Sequence, residues 1–349
     1  MNLRCVENGR RKKVMESKDK TIVCEGLAIV HIRNLTEERR SVRVEKLQER
    51  LHVPFECCET AYPVELIELM LAAKGPAYLC DEILRDESPE YVQHDLKWST
   101  LSYVSEDAFV GKRMLDFGCG SGGSSVSLSR MLPQTEIVGV ELENRLLNVA
   151  KARAVHYGIK NVSFHVSPSP DSLPEHIGKF DFVMFSAVYE HLLPTERKPL
   201  LKLIWSALKP GGILFLNGTP NKHFPLEMHT TGLPFINYLP DRVAHAMSQK
   251  LSRRNLENDS WERMLRKGIR GGSVSEVIKN LSGYDGVPVL LEPSQFGLRD
   301  RLDLWLALSS KSIGRSILAK KIYRVMMKPW RVLFGLELLP ELALAIRKS

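Results

Sequence analysis

The chain has 349 residues, of which 44% are hydrophobic and 26% charged, so it can bury a sizeable core and is not globally disordered. Its formal net charge is +8, an excess that would suit an anionic partner but equally describes a basic solvated surface. No stretch approaches the roughly 18 uninterrupted apolar residues of a membrane-spanning helix. The basic run Arg10 to Lys13 leads into Glu16, Lys18, Asp19 and Lys20 instead of a signal peptide's apolar core. The six cysteines contain no C-x-x-C pair, and the vicinal Cys57-Cys58 is a poor start to a disulfide framework, so a reducing, cytoplasmic setting is expected.

In chain order, residues 1–20 are polar and charged and are expected to be a flexible basic N-terminus. Thr21 to Arg33, rich in β-branched residues around Glu25-Gly26, predicts a short hairpin. From Glu37 to about Ser105 the pattern reads as helical. Pro63 opens a helix through Leu71 that ends before Gly75-Pro76, and 21–110 is therefore expected to be a mainly helical leader capping the main domain.

A strand and helix rhythm follows over 111–220. Strands are predicted at Arg113 to Phe117, Glu136 to Glu141, Asn161 to Val166, Phe180 to Phe185 and Gly212 to Asn217. Helices are predicted at about Ser124 to Met131, Asn144 to Tyr157 and Thr195 to Leu208. Such alternation implies an α/β, Rossmann-like fold, a mostly parallel sheet sandwiched by helices, with ligands bound beyond the carboxyl ends of the strands.

The rhythm breaks after Pro220. Residues 221–272, carrying His223, Glu227 and His229 and a basic helix, read as a lid-like helical insertion after strand five, on the acceptor side of any site. Residues 273–349 resume helix and strand at Ser273 to Leu291 and close with Leu342 to Arg347, a final edge strand or a short helix. Within 316–334, Lys320, Lys321, Arg324, Lys328 and Arg331 gather on one side of a helix. Leu318, Ile322, Val325 and Met326 take the other, with a kink expected at Pro329. Such a basic amphipathic helix can make peripheral contact with an anionic membrane, or it can pack as an ordinary surface helix. No nucleic-acid partner is expected, because the basic residues are not interleaved with aromatics and aromatic content is 7%.

The chemistry centres on Asp116-Phe117-Gly118-Cys119-Gly120-Ser121-Gly122. Gly118, Gly120 and Gly123 satisfy G-x-G-x-x-G between a strand and a helix, and Glu141 ends the next strand where a ribose-binding acid is expected. NAD is on that basis a rival ligand. Asp116 at the entrance of the loop would repel a pyrophosphate, whereas S-adenosylmethionine (SAM) offers an ammonium it can attract directly or through water. The carboxylate of Glu141 can accept both ribose hydroxyls.

Arg113 to Gly122 resembles motif I of class I SAM-dependent methyltransferases. Val138-Gly139-Val140-Glu141, Phe180 to Ser186 and Leu208-Lys209-Pro210-Gly211-Gly212 follow in the order of that family's further signatures. Tyr189-Glu190-His191-Leu192 resembles the Glu-His-Leu of the branch containing ubiquinone-pathway O-methyltransferases. The resemblance implies a seven-stranded sheet and an enzyme that moves a methyl group from SAM to a small-molecule acceptor, most simply an oxygen. It also implies cofactor contacts from Asp116, Phe117, Gly118, Cys119, Gly120, Gly122, Glu141, Leu142, Ser169 and Ser186. Pro168 stands where family members often carry an acid for the adenine amino group, so Ser169, Asp171 or a backbone carbonyl is expected to substitute. Trp98 is read either as a cover for the cofactor or as a packed core side chain.

His191, after strand four, is the candidate general base, or a histidine that orders the loop. His223, Glu227 and His229 are candidate acceptor contacts; they match no recognised zinc pattern, and no metal is expected. Two alternatives stand beside methyl transfer: an NAD(P)-dependent oxidoreductase on the same loop, and a SAM-binding partner protein without catalysis.

Overall fold

The computed structural model describes residues 19–309, 315–334 and 338–349. The predicted hairpin is present as β1 (Lys20–Cys24) and β2 (Ala28–Asn34), paired antiparallel. It does not lead into helix. β3 (Arg40–Lys46) and β4 (Cys57–Thr60) extend it to a four-stranded antiparallel sheet in chain order, so the expectation of a mainly helical leader holds only from residue 64 onward. Val30 and Ile32 on β2 and Val42 and Val44 on β3 are buried, and charged or polar residues alternate with them. That two-residue period is the mark of a half-buried strand.

The leader then supplies α1 (Val64–Lys74), α2 (Leu79–Glu87) and α3 (His94–Leu101). Pro63 fixes the entry to α1 in an extended conformation. Gly75 ends it with a φ of +76°, its N–H bonded to the Leu71 carbonyl. Leu66, Ile67 and Met70 of α1 and Leu79 and Ile83 of α2 pack with the small sheet and with Leu146 and Val149. The leader is thereby one apolar core joined to the main domain.

The main sheet contains β5 (Arg113–Phe117), β6 (Glu136–Glu141), β7 (Val162–Val166), β8 (Phe180–Ser186), β9 (Leu208–Pro220), β10 (Pro288–Leu290) and β11 (Glu341–Lys348). Their order is β10-β11-β9-β8-β5-β6-β7, with β9, β8, β5, β6 and β7 parallel and β11 antiparallel to both its neighbours. The tail is thus a strand, and an interior one; β10 holds the edge. α4 (Gly123–Met131), α5 (Asn144–His156) and α6 (Pro194–Ala207) connect the parallel strands.

Alternate residues of each strand feed opposite faces. Leu115, Val183 and Leu214 meet α6 and α9 (Val274–Leu281), whereas Met114, Met184 and Phe215 meet α3, α4 and α10 (Arg301–Leu308). Burying both faces accounts for the near-continuous apolar runs of β5 and β8. Trp98 packs in this second core with its ring centroid 5.3 Å from that of Phe296, which is the packing reading of that residue.

The insertion at 221–272 carries α7 (Asp241–Leu251) and the short α8 (Trp261–Arg266). α11 (Arg315–Phe334) is a helix, as its periodicity predicts, but it lies with its faces reversed. Arg324 pairs with Asp303 at 2.5 Å, Lys328 with Asp303 at 3.4 Å and Arg331 with Glu292 at 2.9 Å. Leu318, Ile322, Val325 and Met326 are all more than half exposed. Acids on and around α10 draw Arg324, Lys328 and Arg331 inward beside the buried Met327, whereas Lys321 stays exposed with the apolar stripe. No helix among the described residues is long and apolar enough to cross a membrane.

Candidate active site

The glycine loop connects β5 to α4. Gly118, Gly120 and Gly122 all have positive φ (72°, 55° and 83°), where an L side chain is strained. Their surroundings assign them different tasks. A Cβ on Gly118 would lie 2.8 Å from a Val188 methyl, and one on Gly122 would lie 2.5 Å from the Ala150 Cβ of α5. A Cβ on Gly120 would meet nothing within 4 Å. Gly122 is therefore a packing glycine, whereas Gly120 presents bare backbone to open space.

That space is a cavity of about 930 Å³ at the carboxyl ends of the strands. Its floor is Gly118, Cys119, Gly120, Ser121, Ser186 and Asn217, and His191 stands on its wall. Glu82, Arg85, Tyr91 and Ser99 of the leader form one side, and Phe224, Met228, Trp305, Leu308 and Lys320 form another.

Asp116 does not reach the cavity. It is buried beneath the loop, and one carboxylate oxygen accepts the hydroxyls of Ser124 (2.7 Å) and Ser125 (2.6 Å). Burial pushes its carboxyl above the usual range, against the pull of those two hydrogen bonds. Of the two ways expected for Asp116 to meet the cofactor's ammonium, directly or through water, this burial disfavours the direct one, and the oxygen bonded to the two serines helps to build the turn. Phe117 is likewise core, its ring edge-on to Phe185 at 5.8 Å.

Glu141 sits behind the loop. One oxygen accepts the Gly120 N–H at 3.0 Å and the other accepts the N–H groups of Leu142 (2.7 Å) and Glu143 (3.2 Å). Three bonds leave part of the carboxylate's capacity for a ligand. Leu142 beside it is 46% exposed, a bare apolar surface. Ser169 is turned to its own loop, bonding Asp171 at 2.6 Å and Ser172 at 2.7 Å.

The candidate acceptor residues separate. Glu227 is 3% exposed, and its carboxylate caps the chain turn by accepting the N–H groups of His229, Thr230 and Thr231 and the Thr231 hydroxyl. That carboxylate is committed to the backbone, and the expectation of a substrate contact there is corrected. His223 is exposed, lies outside the cavity wall and has its basicity lowered by burial and by Lys222. His229 stands beside His191 instead, ring centroids 5.8 Å apart.

A buried network supports the loop from the leader. Arg153 of α5 is fully buried and pairs with Asp86, and with Glu82 at 3.2 Å; Glu82 in turn accepts the Ser121 hydroxyl at 2.7 Å. Burial raises the Glu82 carboxyl, but Arg153, Lys74 and Arg85 outweigh it and hold the group below the usual range. At Asp86 burial wins over Arg153, and its carboxyl is raised. The sequence reading missed this network. Its signal was Glu82 and Asp86, four residues apart beside Leu79 and Ile83 on one helix face, which demands a buried cation.

Comparison with known proteins gives the same assignment. Residues 114–212 match the family model described as a methyltransferase domain. Ubiquinone biosynthesis O-methyltransferases are similar over the central region. That of Xanthomonas euvesicatoria is 29% identical over 160 residues, covering 46% of this chain and 65% of the relative. That of Acinetobacter baylyi is 27% identical over 126 residues, covering 36% and 51%. The chain thus spans about two thirds or less of these relatives' length. Among solved structures, the YcgJ protein of Bacillus subtilis aligns at 18% identity and TM-score 0.39, over 73% of this chain and 95% of that one. The plantazolicin methyltransferase BamL, solved with a triazolic desmethylPZN analog and SAH, aligns at 15% identity and TM-score 0.42, over 81% and 97%. With its glycine loop and the acid ending β6 inside the matched methyltransferase domain, the chain is similar over its central region to class I SAM-dependent methyltransferases.

Proposed function

We propose that this chain transfers the methyl group of SAM to an oxygen of a small, partly apolar acceptor. The observation that carries the reading is that one cavity joins the bare backbone at Gly120 to His191 and to a side carrying Phe224, Met228, Trp305 and Leu308 together with Lys320. The residues present fit the cofactor. Gly120 leaves room for close approach, Glu141 retains acceptor capacity for ribose hydroxyls, and Leu142 offers an apolar face for a purine. Glu141 and Glu82 take up the Gly120 N–H and the Ser121 hydroxyl, loop donors that a pyrophosphate would need, which argues against a dinucleotide.

When bound, SAM supplies an electrophilic methyl on a sulfonium. The chain's part is alignment, exclusion of water and removal of the acceptor's proton. His191 lines the cavity; its Nδ1 lies 2.7 Å from the Arg266 carbonyl, so a neutral ring carries its proton there and offers Nε2, 3.7 Å from the Glu190 carboxylate, as the acceptor nitrogen. In this role Nε2 would take the acceptor's hydroxyl proton. The curated relatives are named O-methyltransferases, which supports an oxygen acceptor. The cavity's Phe224, Met228, Trp305 and Leu308 and the outward stripe of α11 support an acceptor with an apolar body, met at a membrane surface.

Methyl-tritiated SAM incubated with phenols, carboxylic acids and amines tests the reading. Label is expected in phenols, falling when His191 is replaced by Asn. Transfer to amines alone would refute the oxygen acceptor, and tight NAD binding without SAM binding would refute the site.

A further inference from the structure

On the methyl-transfer reading given above, we propose that the acceptor carries, besides the oxygen that is methylated, an arm ending in a hydrogen-bond donor, a hydroxyl or an ammonium, and that Asn217 and Glu341 select it. Asn217 lies on the cavity floor, in register with Ser186 of β8. Its Nδ2 donates to Ser99 Oγ of α3 at 2.7 Å, and that hydroxyl in turn donates to the Leu96 carbonyl at 3.2 Å. Ser99 has its proton on Leu96 and can only accept, which orients the amide. Asn217 is 7% exposed, and its Oδ1 is buried with no hydrogen-bond partner among the described residues. Such an oxygen is costly unless a ligand supplies the missing donor.

A β-bulge aims this side chain. β11 pairs Leu342 with Thr219 and Ala343 with Asn217, so Gly218 is an extra residue in β9, with a φ of +73°. In an unbroken strand Asn217 and Thr219 would share a face. Across the bulge they part: Thr219 turns to Glu190, bonded at 3.0 Å, and Asn217 turns to α3.

Glu341 is an independent observation. It opens β11 opposite Pro220, lines the same cavity, and has an exposed side chain. No hydrogen bond or salt bridge among the described residues holds its carboxyl. The charged groups near it are Asp95, one turn before Ser99 on α3, and Lys320 of α11; both line the cavity as well. Burial and Asp95 push the Glu341 carboxyl above the usual range, against the pull of Lys320. The amide oxygen of Asn217 and the carboxylates of Glu341 and Asp95 all accept, so this side of the cavity asks for donors. Lys320 is the group that would favour a carboxylate instead.

The test is binding to the full chain saturated with SAH, measured by calorimetry with four phenols that share a two-carbon arm and differ at its end. They are 4-ethylphenol, 4-(2-hydroxyethyl)phenol, 4-(2-aminoethyl)phenol and 4-(2-carboxyethyl)phenol. The hydroxyl-ended or the amino-ended phenol is expected to bind at least about 10-fold tighter than the ethyl one. Asn217→Leu is expected to remove the preference for a hydroxyl arm, and Glu341→Leu the preference for an ammonium arm. If Asn217→Leu does not fold, Asn217→Ser, which withdraws the amide oxygen, takes its place. Equal affinity for all four, or binding of none, would overturn the proposal. So would tightest binding of the carboxyl-ended phenol, or an arm preference that survives both substitutions together. Binding needs no turnover, so label transfer from methyl-tritiated SAM to the same phenols reports on the methyltransferase reading separately.

Discussion

Replacing Arg153 with Met tests whether the leader holds the glycine loop through buried charge. Met keeps most of the volume and removes the cation, leaving Glu82 and Asp86, 3% and 2% exposed, without their central partner. Removing one member of a buried ion pair costs about 3–5 kcal/mol, because the surviving charge is stranded. With an unfolding entropy of about 2.1 cal/mol/K per residue, a chain of this length should lose roughly 4–7 °C in Tm. The sign with pH follows from the carboxyls. Without Arg153 burial acts with less opposition at both: the Asp86 carboxyl, already raised, rises further, and the Glu82 carboxyl loses the largest of the attractions that hold it down. A raised carboxyl pKa means stability that is present at low pH and lost as pH rises through the folded value. The deficit of the variant should therefore be greatest near neutral pH and narrow as pH falls to about 5. Because Glu82 also holds Ser121, SAH affinity should fall several-fold with the stability. Thermal and urea unfolding at both pH values, with SAH calorimetry, provide the measurements. A loss under about 1 kcal/mol, the same at both pH values, would show that the network does not carry the loop.

Asp116→Ala strands the Ser124 and Ser125 hydroxyls, at about 1–3 kcal/mol each, and should cut SAH affinity at least about 10-fold and abolish methyl transfer. Wild-type affinity in a calorimeter would contradict that role. Glu141→Ala should weaken SAH about 10–100-fold, through lost ribose contacts and a loosened Gly120 N–H, while a methyl acceptor's KM stays level. Neutralising Lys320, Lys321 and Arg324 should barely change sedimentation with anionic liposomes, since Arg324 is already paired with Asp303. Replacing Ile322, Val325 and Met326 with Ser should abolish that sedimentation, because those side chains form the outward stripe. The opposite pattern would restore electrostatics as the membrane contact.

The central domain was legible because each of its decisions is local. Apolar runs bounded by glycines and prolines place β5, β6 and β8. Positive-φ glycines fix the loop, and Gly75 stops α1 whatever packs against it. The antiparallel leader was written in the two-residue alternation of Ser41-Val42-Arg43-Val44-Glu45, but a charged segment of that composition also suits a helix face. The sequence also determined which residues share a face of α11. It did not determine which face looks outward: the acids at 292, 300 and 303 drew the basic side in, a choice made by partners more than twenty residues away or across a loop. The same holds at the site. That Asp116 lies under the loop, that Glu227 caps a turn, and that His229 meets His191 and Glu190 instead of His223 are consequences of chain reversal, not of spacing. Local geometry is set by φ and by period, which a sequence carries residue by residue. Long-range juxtaposition depends on which buried charges and hydrogen-bonding groups find one another, and only the packed structure decides that.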